Sequence, residues 1–268
     1  MTGSAYFRDG LLAGRTALVT GGGTGIGRGI ALELARLGAR VVVAARDRSR
    51  VDAAAAEIVA AGGAALAETV NIRKEAEVAA LYDRIAAAGW APDILVNNAG
   101  GQFQAEPLAI SPNGFRAVID LNLNGTWLMT HQFAERFIAR REAGETAAGS
   151  VVNIVLSLFQ GLPAMAHSGA SRAGVMNLTK SLALAWGRHG ITLNCIAPGT
   201  IETEAALSRY DIAELKDDIG RLPIKRMGSV EEIAAAAAFL VSPAGAFITG
   251  TTLIVDGGEH LLGPVREA

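Results

Sequence analysis

The chain has 268 residues, 50% of them hydrophobic and 19% charged, and its 24 Lys and Arg against 26 Asp and Glu leave a formal net charge of −2. This length and apolar content suffice for one sizeable core in a single domain over residues 1 to 268, while the near-neutral charge offers no electrostatic footprint for nucleic acid or an anionic membrane. The longest apolar run, residues 233 to 241, is too short to cross a bilayer, the first ten residues carry no leader pattern and the closing VREA is no peroxisomal address, so a cytoplasmic protein is expected.

In chain order, short β-branched runs alternate with longer Ala- and Leu-rich stretches. The first strand, 16 to 20, runs into TGGGTGIG at residues 20 to 27, which opens a helix over 25 to 38. Glycines between a strand and a helix let backbone approach a pyrophosphate, and the helix N-terminus offers it unpaired N–H groups and a positive dipole end. Gly21, Thr24, Gly25, Ile26 and Gly27 are therefore cofactor-binding candidates. The second strand, 41 to 45, ends at Arg46, with Arg48 and Arg50 close behind. An acid at this point would take the ribose 2′-hydroxyl of NAD, whereas an arginine accommodates the 2′-phosphate of NADP; Arg46 predicts NADP, and Asp47 argues faintly the other way.

A helix over 50 to 61, a strand at 65 to 70, a helix over 74 to 88 and a strand at 94 to 98 continue the alternation. One long helix is expected over 112 to 140, then a polar surface loop to 149, a strand at 151 to 156 and a helix over 165 to 187. The strand at 191 to 197 holds Cys195, the lone cysteine, which excludes an internal disulfide and reads as a buried thiol. Residues 200 to 226 fall outside the alternation and suit a lid over a pocket. A helix over 230 to 241, with Ser229 and Glu232 in a capping-box pattern, and a strand at 251 to 256 complete the set. Seven strands separated by helices imply a Rossmann-type, doubly wound α/β fold, its parallel sheet covered by helices on both faces. The four histidines, His131, His167, His189 and His260, lack ligand spacing, so no metal is expected.

TGGGTGIG, the NNAG of 97 to 100, PGTIET at 198 to 203 and the closing VDGG of 255 to 258 together resemble the short-chain dehydrogenase/reductase family over essentially the whole chain. The resemblance implies that Asn71 and Ile72 bracket the adenine, although the family more often has Asp at the first position. It further implies that Asn98, Ala99 and Gly100 line the cofactor, and that Pro198, Gly199, Ile201 and Thr203 hold its nicotinamide amide and phosphates. NNAGGQF (97 to 103), AHSGASRAGVMNLTKSLALAW (166 to 186) and APGTIETEAALSRY (197 to 210) look most like peroxisomal trans-2-enoyl-CoA reductases and, less closely, 2,4-dienoyl-CoA reductases. Members commonly pair the helix corresponding to 165 to 187 into dimers and tetramers, so a homo-oligomer is expected.

Where the family usually keeps a tyrosine and a lysine, this chain has Ser168 and Arg172. Ketone reduction produces an alkoxide that needs an acid; a serine hydroxyl is a poor one, and an arginine cannot relay a proton as lysine does. Reduction of an α,β-unsaturated thioester instead produces an enolate whose oxygen needs hydrogen-bond donors. Asn124, Ser168 and Ser157 are the catalytic candidates for that role, Asn124 by its match to the substrate-binding Asn of dienoyl-CoA reductases and Asn122 as the structural Asn of ordinary members. Arg172 takes the lysine's place beside the nicotinamide ribose. Lys180 is expected on the surface, His167 on a cavity wall or at the helix start, and Tyr210 on the lid. The expected activity is NADPH-dependent reduction of an acyl-CoA double bond; a 3-oxoacyl oxidoreductase and a catalytically silent dinucleotide-binding protein remain as alternatives.

Overall fold

A computed structural model of the chain describes residue 4 and residues 6–157, 161–207 and 219–262. Strands β1 (Thr16–Thr20), β2 (Arg40–Ala45), β3 (Ala64–Thr69), β4 (Ile94–Asn97), β5 (Gly149–Ile154), β6 (Ile191–Pro198) and β7 (Thr252–Val255) form one parallel sheet in the order β3-β2-β1-β4-β5-β6-β7. The chain returns from the β3 edge to place β4 beside β1, and this reversal opens a crevice at the carboxyl ends of β1 and β4.

Alternation along the strands divides the core in two. Ala17, Val19, Val41, Val43 and Val96 face α1 (Gly25–Arg36), α2 (Arg48–Ala60) and the C-terminal helix Val230–Val241. Leu18, Val42, Ala44, Leu95 and Val151 face α3 (Glu75–Ala87), α5 (Gly125–Glu142) and α6 (Ala166–Trp186). Both strand faces are thus apolar, which is why the runs read as continuous rather than alternating. Helix α8, as we number Val230–Val241, starts from a complete capping box between Ser229 and Glu232. The short helix α7 spans Glu204–Leu207, at the start of the expected lid; most of the remaining lid, including Tyr210, lies outside the described residues.

The single helix expected over 112 to 140 is divided. Helix α4 (Pro112–Ile119) passes through a π-helical turn, Asp120–Asn124, before α5 begins. The wider turn accompanies the buried Asn122, whose side chain accepts from the Gly101 N–H at 3.0 Å and donates to the Gly101 carbonyl and to Ser171 Oγ at 3.1 Å each. Insertions of this kind are frequent at functional sites. No helix among the described residues is long and apolar enough to cross a membrane.

Candidate active site

The nucleotide end is built mainly from backbone. Thr20 Oγ1, at the end of β1, accepts from the N–H groups of Asn98 and Ala99 at 3.1 Å each, and Asn98 Nδ2 donates to the carbonyls of Thr20 (3.2 Å) and Gly21 (3.1 Å). Gly21 turns the chain at φ 63°, and a Cβ on Gly27 would collide with that same amide and the Gly21 carbonyl. Asn98 therefore holds the glycine loop in shape. Thr24, at the N-cap of α1, makes no side-chain capping bond, and Ile26 packs on the core beneath. The first-turn N–H groups of α1 are left for an anion. Across the loop, the Thr203 methyl lies 3.6 Å from where a Gly25 side chain would begin, and Thr203 Oγ1 accepts from the Ala206 N–H at 3.1 Å.

Arg46 is exposed and has no hydrogen bond or ion pair among the described residues. Its neighbours are committed: Arg48 pairs with Asp52 at 2.9 Å and Arg50 with Asp47 at 3.2 Å. Asp47 also caps α2, accepting from the backbone of Ser49 and Arg50, and the Ser49 hydroxyl leads the hydrogen bonds that hold its carboxyl below the usual range. Asn71 accepts from the Arg73 N–H at 3.2 Å, and Ile72 is buried against Gly125. Gly199 crosses Asp256 so closely that a Cβ would sit 2.6 Å from that side chain's own, Pro198 O accepts from the Ser157 N–H at 3.2 Å, and the buried Ile201 bridges to Gly228.

The substrate end is built from side chains on α6 and the loop after β4. His167, Ser168, Ser171 and Arg172 are all buried. Arg172 donates to the Ile154 carbonyl at 2.8 Å and lies against Gly100, where any Cβ would run into its guanidinium. Burial lowers its pKa to about 10, so it remains charged at neutral pH. It has no ion-pair partner among the described residues, and its Nε is buried with no hydrogen bond. A buried cation without a counter-charge fits a site that receives a polyhydroxylated, anionic ligand. Lys180 is exposed.

Ser168 donates to Gln102 Oε1 at 3.1 Å. Gln102 was not singled out by residue type, although it lies in the NNAGGQF segment; only the fold shows that this half-buried amide meets the serine in the tyrosine's place. With Oε1 engaged, its Nε2 has no partner among the described residues.

Two expected donors have hydrogen-bond partners of their own. Asn124 does not join the group: two residues beyond the inward-facing Asn122, it is exposed, donates to Asp120 Oδ1 at 2.8 Å and lines a surface groove with Asn71, the expected adenine contact, Arg73 and Trp127. Ser157 lies near the site, but its hydroxyl donates to Asp256 Oδ2 at 2.9 Å, so that proton is not offered to a substrate oxygen. Burial raises the Asp256 carboxyl, yet hydrogen bonds from the His260 backbone, Ser157, Gly258 and the His260 ring outweigh it and hold the group below the usual range. This cluster borders a cavity of about 460 Å³ lined by Ile201, Ile224, Ile254 and His260. Leu158 and Phe159, next to Ser157, lie outside the described residues.

A family model described as enoyl-(acyl carrier protein) reductase matches residues 21–260. A probable 2,4-dienoyl-CoA reductase of Caenorhabditis elegans, (3E)-enoyl-CoA-producing, is 37% identical over 96% of this chain and 84% of its own length. A 3-oxoacyl-[acyl-carrier-protein] reductase of Synechocystis is 36% identical over 92% of this chain and 97% of its own. Among solved structures, a putative 2-deoxy-D-gluconate 3-dehydrogenase of Agrobacterium tumefaciens with bound NADP superposes with a TM-score of 0.85 at 38% identity, covering 95% of this chain and 100% of that one. Joined to the strand order and the glycine loop tied down by Asn98, these likenesses make the chain a member of the short-chain dehydrogenase/reductase family, oxidoreductases that work with a nicotinamide dinucleotide.

Proposed function

We propose that the protein is an NADPH-dependent reductase of a carbon–carbon double bond conjugated to a thioester of the acyl-CoA type. The observation that carries this reading is the pairing of Ser168 with Gln102. The tyrosine's place holds a hydroxyl that points its proton at an amide rather than at a substrate, beside an Arg172 that keeps its proton at neutral pH. Such a site lacks the acid that an alkoxide requires and retains a donor suited to an enolate oxygen.

The cofactor's fit rests on the uncapped start of α1, on the counter-charge-free Arg172 and on Arg46 as the unpaired member of its arginine cluster. When bound, NADPH supplies the hydride. The α1 amides and Thr203 hold its pyrophosphate, Arg46 its 2′-phosphate, Asn71 and Ile72 its adenine, and Arg172 its nicotinamide ribose. Asp47, committed to capping α2, does not compete for the ribose. Gln102 Nε2 donates to the thioester oxygen, and Ser168 fixes the amide so that Nε2 faces outward; one oxyanion donor is worth roughly 3 to 4 kcal/mol of barrier. The exposed Phe103, packed on His167, offers an apolar surface suited to an acyl chain. The chain serves as a single-domain subunit, and the exposed Leu184 on α6 supports pairing of that helix in a homo-oligomer.

The test is NADPH consumption with an enoyl-CoA, a 2,4-dienoyl-CoA and a 3-oxoacyl-CoA in parallel. Turnover is expected on the unsaturated thioesters, and Gln102→Leu is expected to lower kcat roughly 100- to 1,000-fold with NADPH affinity unchanged. Turnover on the 3-oxoacyl-CoA alone refutes the reading.

A further inference from the structure

Arg172 keeps a full positive charge inside the protein with no carboxylate set against it among the described residues. The residue is 6% exposed, and its Nε is buried without a hydrogen bond. The ionisable group that acts on it, the Cys195 thiol, is buried as well, and burial raises that thiol's pKa and keeps it neutral. One end of the guanidinium donates to the Ile154 carbonyl at 2.8 Å and the other lies against Gly100, so the charge is held in place. Its position follows from the sheet. Ile154 ends β5 and Gly100 follows β4, so Arg172 stands at the carboxyl ends of the strands on the far side of the crevice from β2 and β3. The glycine loop after β1 suits the pyrophosphate, and Arg46 after β2 suits the adenosine half. A dinucleotide laid across these strand ends puts its nicotinamide over β4 and β5, on the side of Arg172.

The nicotinamide ring is the part of the cofactor whose charge the reaction changes. It is a cation when oxidised and neutral once hydride has been added, while the phosphates carry the same charge in both forms. We infer that Arg172 is a specificity-determining residue for the oxidation state of the cofactor: its unneutralised charge repels the oxidised nicotinamide, so that the protein binds the reduced dinucleotide more tightly. The repulsion acts through the protein and needs neither contact with the ring nor space beside the guanidinium. Two like charges several ångströms apart, at an effective dielectric constant of about 20, repel by an amount worth roughly tenfold to 100-fold in affinity. The inference rests on the nicotinamide dinucleotide and not on the thioester reading, and it holds equally for a carbonyl substrate.

The test is a pair of calorimetric titrations, with NADPH and with NADP⁺, read as the ratio of their dissociation constants. Arg172 also meets the ribose of both forms, so its loss weakens both, and only the ratio reports the charge. The wild type is expected to bind NADPH roughly tenfold to 100-fold more tightly than NADP⁺. Arg172→Met is expected to remove most of that preference, and Arg172→Lys, which keeps a cation, to retain most of it. An unchanged ratio in Arg172→Met, or a wild type that binds the two forms equally, overturns the proposal. Should Arg172→Met fail to fold, the wild-type ratio is taken at low and high salt. A buried charge is little screened, so the ratio is expected to persist, and a ratio that collapses with salt overturns the proposal. A protein that binds NADH and NAD⁺ but neither NADPH nor NADP⁺ refutes the Arg46 reading alone, and the same ratio is then decided with that pair. Binding of none of the four overturns both.

Discussion

The two ends of the crevice solve the problem of buried polarity differently. At the nucleotide end, Thr20 and Asn98 spend their hydrogen bonds on loop backbone, which fixes where the α1 amides point. At the substrate end, polar side chains bind one another, as Ser168 does Gln102 and Ser157 does Asp256, or have no hydrogen-bond partner among the described residues, as with His167. A backbone-built site depends on glycines and tolerates little change. A side-chain-built site can alter its chemistry while the fold stays put, and this chain has exchanged a phenol and an amine for a hydroxyl and a guanidinium there.

The contrast is broken most directly at Gly27. Gly27→Ala forces a Cβ into Asn98 and the Gly21 carbonyl, which is expected to cost about 1 to 3 kcal/mol of stability and to abolish NADPH binding in a fluorescence titration. Ser168→Ala, by comparison, is expected to leave both melting temperature and NADPH affinity near wild type while lowering kcat; equal loss of cofactor from the two variants would erase the distinction. Within the nucleotide end, Arg46→Ala is expected to reduce preference for NADPH over NADH roughly tenfold to 100-fold, the worth of hydrogen bonds to a charged group, measured as the ratio of dissociation constants.

Smaller effects sharpen the boundary. The Arg226 hydrogen bond leads the interactions that hold Glu232 at a pKa of about 2. A carboxyl lowered on folding contributes stability that is present above its unfolded pKa and lost as pH falls through the folded one. Glu232→Gln is expected to lower stability by about 0.5 kcal/mol at neutral pH, since the pair is partly exposed, with the gap from wild type closing between about pH 4.5 and 2. Asn124→Ala is expected to leave turnover unchanged, because its amide is occupied at the surface with Asp120; a loss of kcat would return Asn124 to the site.

The fold was legible where one physical rule governs many residues. Apolar strands of four to eight residues, buried on both faces in all but the edge strands β3 and β7, and glycines between a strand and a helix declare their structure locally, so the seven strands differ from expectation only at their ends. Ser168 and Arg172 were legible as departures because their spacing on one helix is fixed by helical geometry. Gln102 was not, since an amide in a loop has no periodicity and its meaning lies in a contact across 66 residues. Asn122 and Asn124 could not be told apart either: a π-helical turn sets which of two nearby asparagines faces inward, and that turn answers to Gly101 and Ser171 on other segments. The amino-acid sequence by itself thus determined the sheet, the nucleotide loop and the loss of the tyrosine–lysine pair, all set by local pattern. Only tertiary structure decided which hydroxyls keep their protons, which amide faces the site and which imidazole is left unpaired, because each depends on groups brought together from distant parts of the chain.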